Sequence, residues 1–230
     1  MLAASLALAA VAAFAGAGTA VAQSAGSGAS AAQIANAGAV NQGTPACASC
    51  HGFRGEGVRV QNGPRLAGLD ADYIARQLDG FAHGKRDSSV MVGVARSLTE
   101  AQRDGMAQYY ASLPPVGEPP GMGGDMVRLG RAIAHEGDWS VKVPPCASCH
   151  GGDGLGVNSL APPLAGQRAD YLERQLIRFR QNERRDDPLG LMRRLAGRLS
   201  MREIRAVAAY YATLPPKPLA PGPTAKGVRR

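Results

Sequence analysis

Apolar and amphipathic positions recur at helical spacing in two well-separated stretches. Tyr73, Ile74, Gln77, Leu78 and Phe81 form one set, and Tyr171, Leu172, Gln175, Leu176 and Phe179 form the other; steps of three and four residues place each set on one face of a helix. Downstream of each, Thr99 with Gln102 and Ser200 with Glu203 have the spacing of a capping box, in which a hydroxyl and an amide or carboxylate satisfy the first orphan N–H groups of a helix. Those last helices are expected to stop at Pro114-Pro115 and Pro215-Pro216, because proline has no N–H to continue the ladder. No run alternates in the manner of a strand, so the pattern predicts an all-α chain.

The pattern is written twice. Ile34-Ala35-Asn36-Ala37-Gly38 matches Ile133-Ala134-His135-Glu136-Gly137, and Pro45-Ala46-Cys47-Ala48-Ser49-Cys50-His51-Gly52 matches Pro144-Pro145-Cys146-Ala147-Ser148-Cys149-His150-Gly151. Leu66-Ala67-Gly68 answers Leu164-Ala165-Gly166, and Asp72 to Leu78 returns as Asp170 to Leu176. Tyr109 to Pro115 becomes Tyr210 to Pro216. A repeat of this length implies two tandem domains, with residues 23–115 as the first and 125–216 as the second. Residues 116–124, dense in Pro and Gly, read as a linker, and residues 217–230 as a disordered basic tail.

Composition adds a compartment. Residues 1–22 carry no charged side chain and end in Ala20-Val21-Ala22, a small-residue ending that reads as a secretory signal peptide. A retained membrane anchor is the rival reading, since the stretch approaches the ~20 apolar residues of a spanning helix. The net charge of +8 is uneven: residues 24–118 hold eight basic and eight acidic side chains, and residues 119–230 hold eighteen and ten. Export and few aromatics argue against a nucleic-acid partner; an acidic protein surface is the expected counterpart of Arg193, Arg194, Arg198, Arg202 and Arg205.

Four cysteines in an exported chain ordinarily form disulfides, but here Cys47 and Cys50 are followed at once by His51, and Cys146 and Cys149 by His150. That spacing lets two thiols form thioethers with one haem while the adjacent imidazole ligates its iron. A zinc ribbon would pool both pairs around one metal, whereas each pair here sits in its own complete copy of the surroundings. A redox CxxC is expected beside a βαβ pattern, which is missing.

Recurrence also selects a second axial ligand. Of seven methionines only Met91 and Met192 stand in matching contexts, Met-x-x-Val-Ala-x-x-Leu-Thr and Met-x-x-Leu-Ala-x-x-Leu-Ser, and a thioether opposite histidine is a known pairing in cytochromes. His83 and His135 align with Gln181 and Asn36 and read as surface or locally bonded side chains. A ligating imidazole needs an acceptor on its other nitrogen, and the carbonyls of Pro64 and Pro162 are candidates. Gly38 and Gly137 either permit close approach of the first helix to the last or merely end a helix. Tyr73 and Tyr171 either reach a haem propionate or fill core.

The CASCHG motif twice, Pro-x-Leu-Ala-Gly followed by Asp-Tyr and Arg-Gln-Leu, Phe then Arg86 or Arg184, the methionine and the Tyr-Tyr-Ala ending together resemble two-haem class I cytochromes c of the cytochrome c4 type. The resemblance implies two cytochrome c-like domains related by a pseudo-twofold axis, two covalently bound haem c groups with His/Met ligation, and a periplasmic carrier between a quinol-oxidising cytochrome bc complex and a terminal oxidase. Two features depart from it: Met192 lies three residues further from Arg184 than Met91 lies from Arg86, and Leu69 replaces the residue seen as Gln167. Two other readings keep the fold, a cytochrome subunit of a membrane-bound dehydrogenase or oxidase complex and a two-haem peroxidase. The peroxidase needs a vacant iron position, which two recurring methionines disfavour.

Overall fold

Several helix starts follow from local capping chemistry. A computed structural model describes residues 29–117, 124–157 and 159–217. The signal segment 1–22, most of the linker (118–123) and the tail from 218 onward lie outside the described residues. In the first half, α1 (Ala31–Ala37) opens on a Ser30/Gln33 capping box, and α2 (Ala48–His51) is a single turn carrying Cys50 and His51. Next come α3 (Ala71–Ala82), whose first turn is capped by the Asp70 carboxylate on the Tyr73 N–H, and α4 (Met91–Ser97). The half closes with α5 (Glu100–Ser112), capped by Thr99 and Gln102. The second half repeats the order as α6 (Asp125–Glu136), α7 (Ala147–His150), α8 (Ala169–Arg180), α9 (Leu191–Arg198) and α10 (Met201–Thr213), the last capped by Ser200 and Glu203. Both final helices stop just before the proline pairs, as the sequence predicts. Among the described residues only isolated β-bridges occur.

Each half gathers its amphipathic faces around its own core. In the first, α3 packs on α4 and α5, and α1 on α5, burying Ile34, Ile74, Leu78, Phe81, Leu98, Met106 and Tyr110. In the second, α10 is the central element, packed on α6 and α8, with Ile133, Leu172, Ile204, Val207 and Tyr211 buried along it. Of the two roles open to Gly38 and Gly137, the structure gives them the second, that of ending a helix. Gly38 and Gly137 adopt φ near +79° and terminate α1 and α6, a backbone conformation that favours glycine. The close approach falls instead at Gly130, where a β-carbon would overlap the Ala206 carbonyl of α10. In the first half the equivalent crossing pairs Ala31 with Gly105, so the small residue has changed sides.

The loop after each short histidine turn folds back in the same way in both halves. The Gly57 N–H donates to the His51 carbonyl at 2.7 Å, and the Gly156 N–H to the His150 carbonyl at 2.8 Å. Both N–H groups of Leu66-Ala67 donate to the Gly55 carbonyl, and those of Leu164-Ala165 to the Gly154 carbonyl. Gly68 and Gly166 then donate to the Tyr110 and Tyr211 carbonyls, each at 3.0 Å, fastening the loop to the last helix. The effect is to hold a proline carbonyl beneath each histidine.

The two halves meet along a polar seam with near-twofold symmetry. Arg86 donates to Gln77 of its own half and to Gln175 and the Tyr171 hydroxyl of the other, all within 2.8 Å. Arg184 mirrors it, donating to Gln175 at 3.0 Å, to Gln77 at 2.7 Å and to the Tyr73 hydroxyl at 3.3 Å. Each guanidinium also stacks on the phenylalanine of its own half, Arg86 on Phe81 and Arg184 on Phe179. Tyr73 and Tyr171 therefore reach across to the opposite arginine. The symmetry breaks at Asp186, which pairs with Arg184 at 2.8 Å and stands where the first copy has Ser88.

Candidate haem-binding sites

His51 and His150 end the short turns α2 and α7 and are both buried. Their Nδ1 atoms lie 3.0 Å from the carbonyls of Pro64 and Pro162, the acceptors expected from the sequence. A carbonyl only accepts, so Nδ1 carries the proton and Nε2 keeps its lone pair for a metal. Burial pushes both imidazoles below their ordinary pKa, against the proline carbonyls that favour protonation, so each ring is neutral and ready to ligate at neutral pH.

The cysteines flank these histidines as free thiols. Cys47 packs against the first-half core, and Cys146 against both second-half clusters, while Cys149 is exposed. Burial pushes the Cys47 thiol up, opposed by the neighbouring Tyr110 hydroxyl, and pushes Cys146 up to about 11. Both sulfurs therefore stay protonated at neutral pH.

Met91 begins α4 and packs against the same core as Cys47. Met192 lies half-buried in the first turn of α9. Its three-residue displacement has a structural origin: Pro188–Gly190 form an extra 3-10 turn, with Leu189 at φ 58°. Asp187 replaces the hydroxyl cap that Ser88 gives to the Met91 N–H, accepting instead from the Arg193 N–H at 3.1 Å. The other histidines behave as predicted. His83 bonds the Asp79 carbonyl one turn back in its own helix, and His135 bonds the Tyr210 hydroxyl.

The chemistry of these surroundings fits haem. The Tyr110 hydroxyl faces the Cys47 thiol, while the buried Tyr211 hydroxyl and Arg86 Nε have no hydrogen-bond partner among the described residues. At the seam, the buried Arg184 is ion-paired with Asp186, whereas the buried Arg65 and Arg86 donate to carbonyl, amide and hydroxyl oxygens in the hydrogen bonds found among the described residues. Buried cations without counter-charge are costly, and an anionic, carboxylate-bearing cofactor relieves that cost. Sequence reasoning did not find the two tyrosine hydroxyls or the role of Arg65; the recurrence of Tyr110 as Tyr211 was the available signal for the first.

Comparison with known proteins agrees. The profile of cytochrome c oxidase, cbb3-type, subunit III matches residues 142–210, within the second half. A thiosulfate dehydrogenase electron acceptor of Thiomonas intermedia is 41% identical over 174 residues, 75% of this chain and 80% of that protein. Cytochrome c4 of Thiocapsa roseopersicina is 37% identical over 170 residues, 73% of this chain and 86% of that protein. The structure of thiosulfate dehydrogenase TsdBA from Marichromatium purpuratum in its as-isolated form superposes with a TM-score of 0.76 at 38% identity, over 80% of this chain. This chain spans only 40% of that one. With two cytochrome c-like halves, two CxxCH turns and these relatives, the chain belongs to the cytochrome c4 family of electron carriers, which hold two covalently bound haem c groups.

Proposed function

We propose that the protein is a periplasmic carrier that takes electrons singly from a thiosulfate dehydrogenase and delivers them to a terminal oxidase. The observation that carries the donor is the 41% identity to a thiosulfate dehydrogenase electron acceptor over four-fifths of that protein. A cytochrome bc complex as donor is the second reading, favoured by the 37% identity to a cytochrome c4.

In this reading residues 23–115 and 125–216 form the two domains, joined by 116–124, after removal of 1–22. Cys47 and Cys50 anchor one haem and Cys146 and Cys149 the other. His51 with Met91 would ligate one iron, and His150 with Met192 the other. Haem supplies a reversible one-electron couple. The polypeptide supplies the rest. His51 and His150 hold Nε2 free of protons because Pro64 and Pro162 occupy Nδ1, and ligation by the methionine thioethers would leave no vacant position for a substrate, which disfavours the peroxidase reading. Among the described residues no helix is long and apolar enough to cross a membrane.

Docking rests on the second domain, but on fewer of its arginines than the sequence implies. Arg193 is paired with Asp187 and Arg205 with Glu173. Among the described residues Arg194 and Arg198 bond the carbonyls of Leu189 and Lys142, and both side chains are exposed, so their charges remain directed at solvent. Arg198 and Lys142 line a shallow depression with Ser140 and Val141, beside the exposed Trp139.

Stopped-flow mixing of the oxidised protein with a purified thiosulfate dehydrogenase and thiosulfate tests the donor. Reduction of both haems on the enzyme's own timescale is expected. Reduction by a bc complex and quinol but not by the dehydrogenase overturns the proposed donor in favour of the second reading.

A further inference from the structure

Two departures from the internal repeat meet at one point of the seam. Arg65 stands where the second copy has Pro163, and Gln167 stands where the first has Leu69. They bind one another: the Arg65 N–H donates to Gln167 Oε1 at 3.0 Å, and Gln167 Nε2 donates to the Arg65 carbonyl at 2.9 Å. The same Oε1 accepts from the Arg168 N–H at 3.0 Å. The Arg65 side chain then crosses the boundary, with Nη2 on the Ala165 carbonyl at 2.9 Å, Nε on Gly166 at 3.4 Å and Nη1 on Ala67 at 2.5 Å. Arg65 is 1% exposed and Gln167 3%. Burial lowers the guanidinium pKa to about 10, which still leaves it charged at neutral pH.

Arg65 follows Pro64 directly, and the Pro64 carbonyl is the acceptor for His51 Nδ1. A continuous path therefore runs from Gln167 in the second half through the Arg65 backbone to the first half's histidine. Among the described residues the mirror-image link is not formed, because Pro163 has no N–H to offer and the Leu69 side chain has no amide.

We propose that Gln167 and Arg65 are positioning residues through which the second domain sets the reduction potential of the first domain's centre, while the His150 centre has no such input. The proposal rests on His51 being an axial ligand. The two residues act with opposite sign. By clamping the Arg65 backbone, Gln167 keeps the Pro64 carbonyl aimed at Nδ1, and a firm bond there makes the ligating imidazole more basic, which favours the oxidised state. The buried Arg65 charge disfavours any additional positive charge nearby, which favours the reduced state.

The test is a redox titration of the full-length holoprotein, with each centre followed by its own paramagnetically shifted resonances. Gln167→Leu installs the residue the first copy already carries, so it keeps a volume the fold accepts; it is expected to raise the first centre's potential. Arg65→Gln is expected to lower it, and Arg65→Lys, which keeps the charge, to restore most of the difference. Each shift is expected to approach a tenfold change in the reduction equilibrium, about 59 mV for one electron, with the second centre moving much less. Equal shifts at both centres, shifts of the same sign in the first two variants, or no shift overturn the proposal. Unmoved potentials with intact histidine–methionine spectra defeat this inference alone. A parent protein without such a spectrum from its first domain defeats the functional reading and this inference with it.

Discussion

Each CxxCH histidine has two nitrogens with separate duties, and the structure divides them by giving Nδ1 to a proline carbonyl at 3.0 Å in both halves. The opposite ligand is tested one residue at a time. Met192→Ala is expected to remove the methionine-to-iron band of one haem, leave the other intact, and open a position that binds carbon monoxide, all visible in the absorption spectrum. Two unchanged bands would mean that another side chain is the ligand. Asp186 makes a second residue-scale prediction. Burial alone would raise its pKa, but Arg184, helped by Arg86 and Gln77, outweighs burial and holds the carboxyl below its usual range. A carboxyl with a depressed folded pKa contributes stability that is complete above the unfolded value of about 3.9 and is lost as pH falls through the lower folded value. Asp186→Asn is therefore expected to cost about 3 kcal/mol at neutral pH and to flatten the acid limb of the stability profile, as measured by denaturant unfolding across pH.

At the scale of elements, the helix crossings give a contrast between two glycines. Gly130→Ala forces a methyl group into the Ala206 carbonyl and is expected to destabilise by about 1–3 kcal/mol or more. Gly105→Ala meets only the Ala31 β-carbon at 3.8 Å, an ordinary contact, and gains helix propensity of up to about 1 kcal/mol. Opposite shifts in thermal midpoint are the expected outcome. Helix starts and stops were legible in the sequence, because Thr99, Gln102, Ser200, Glu203 and the proline pairs act through bonds only three residues long. The roles of Gly38 and Gly130 were not, since nothing in a linear pattern separates a glycine with φ near +79° from one needed for close approach. The extra turn at Pro188–Gly190 was visible as a length difference, but its Asp187 cap depends on a bond spanning six residues.

Across the whole molecule, the repeat exposed the two sites while concealing how the halves join. The CxxCH turns and recurring methionines could be found by matching one copy to the other. The seam could not, because Arg86, Arg184 and Gln167 find partners roughly a hundred residues away in sequence, and its most consequential contacts lie where the copies differ. Charge belongs to this scale too. With Arg194, Arg198 and Lys142 facing solvent on the second domain, the rate of electron transfer with an acidic partner is expected to fall as ionic strength rises and exposed charges are screened. A rate flat with salt would contradict that docking surface. The central claim is that this polypeptide carries two covalently attached, low-spin haems at equivalent CxxCH turns. It is tested most directly by haem counting and a reduced-minus-oxidised spectrum on protein matured with a cytochrome c assembly system. The account predicts two haems per chain that survive denaturation and acid extraction, whereas a colourless protein, or one holding zinc on its four cysteines, would contradict it.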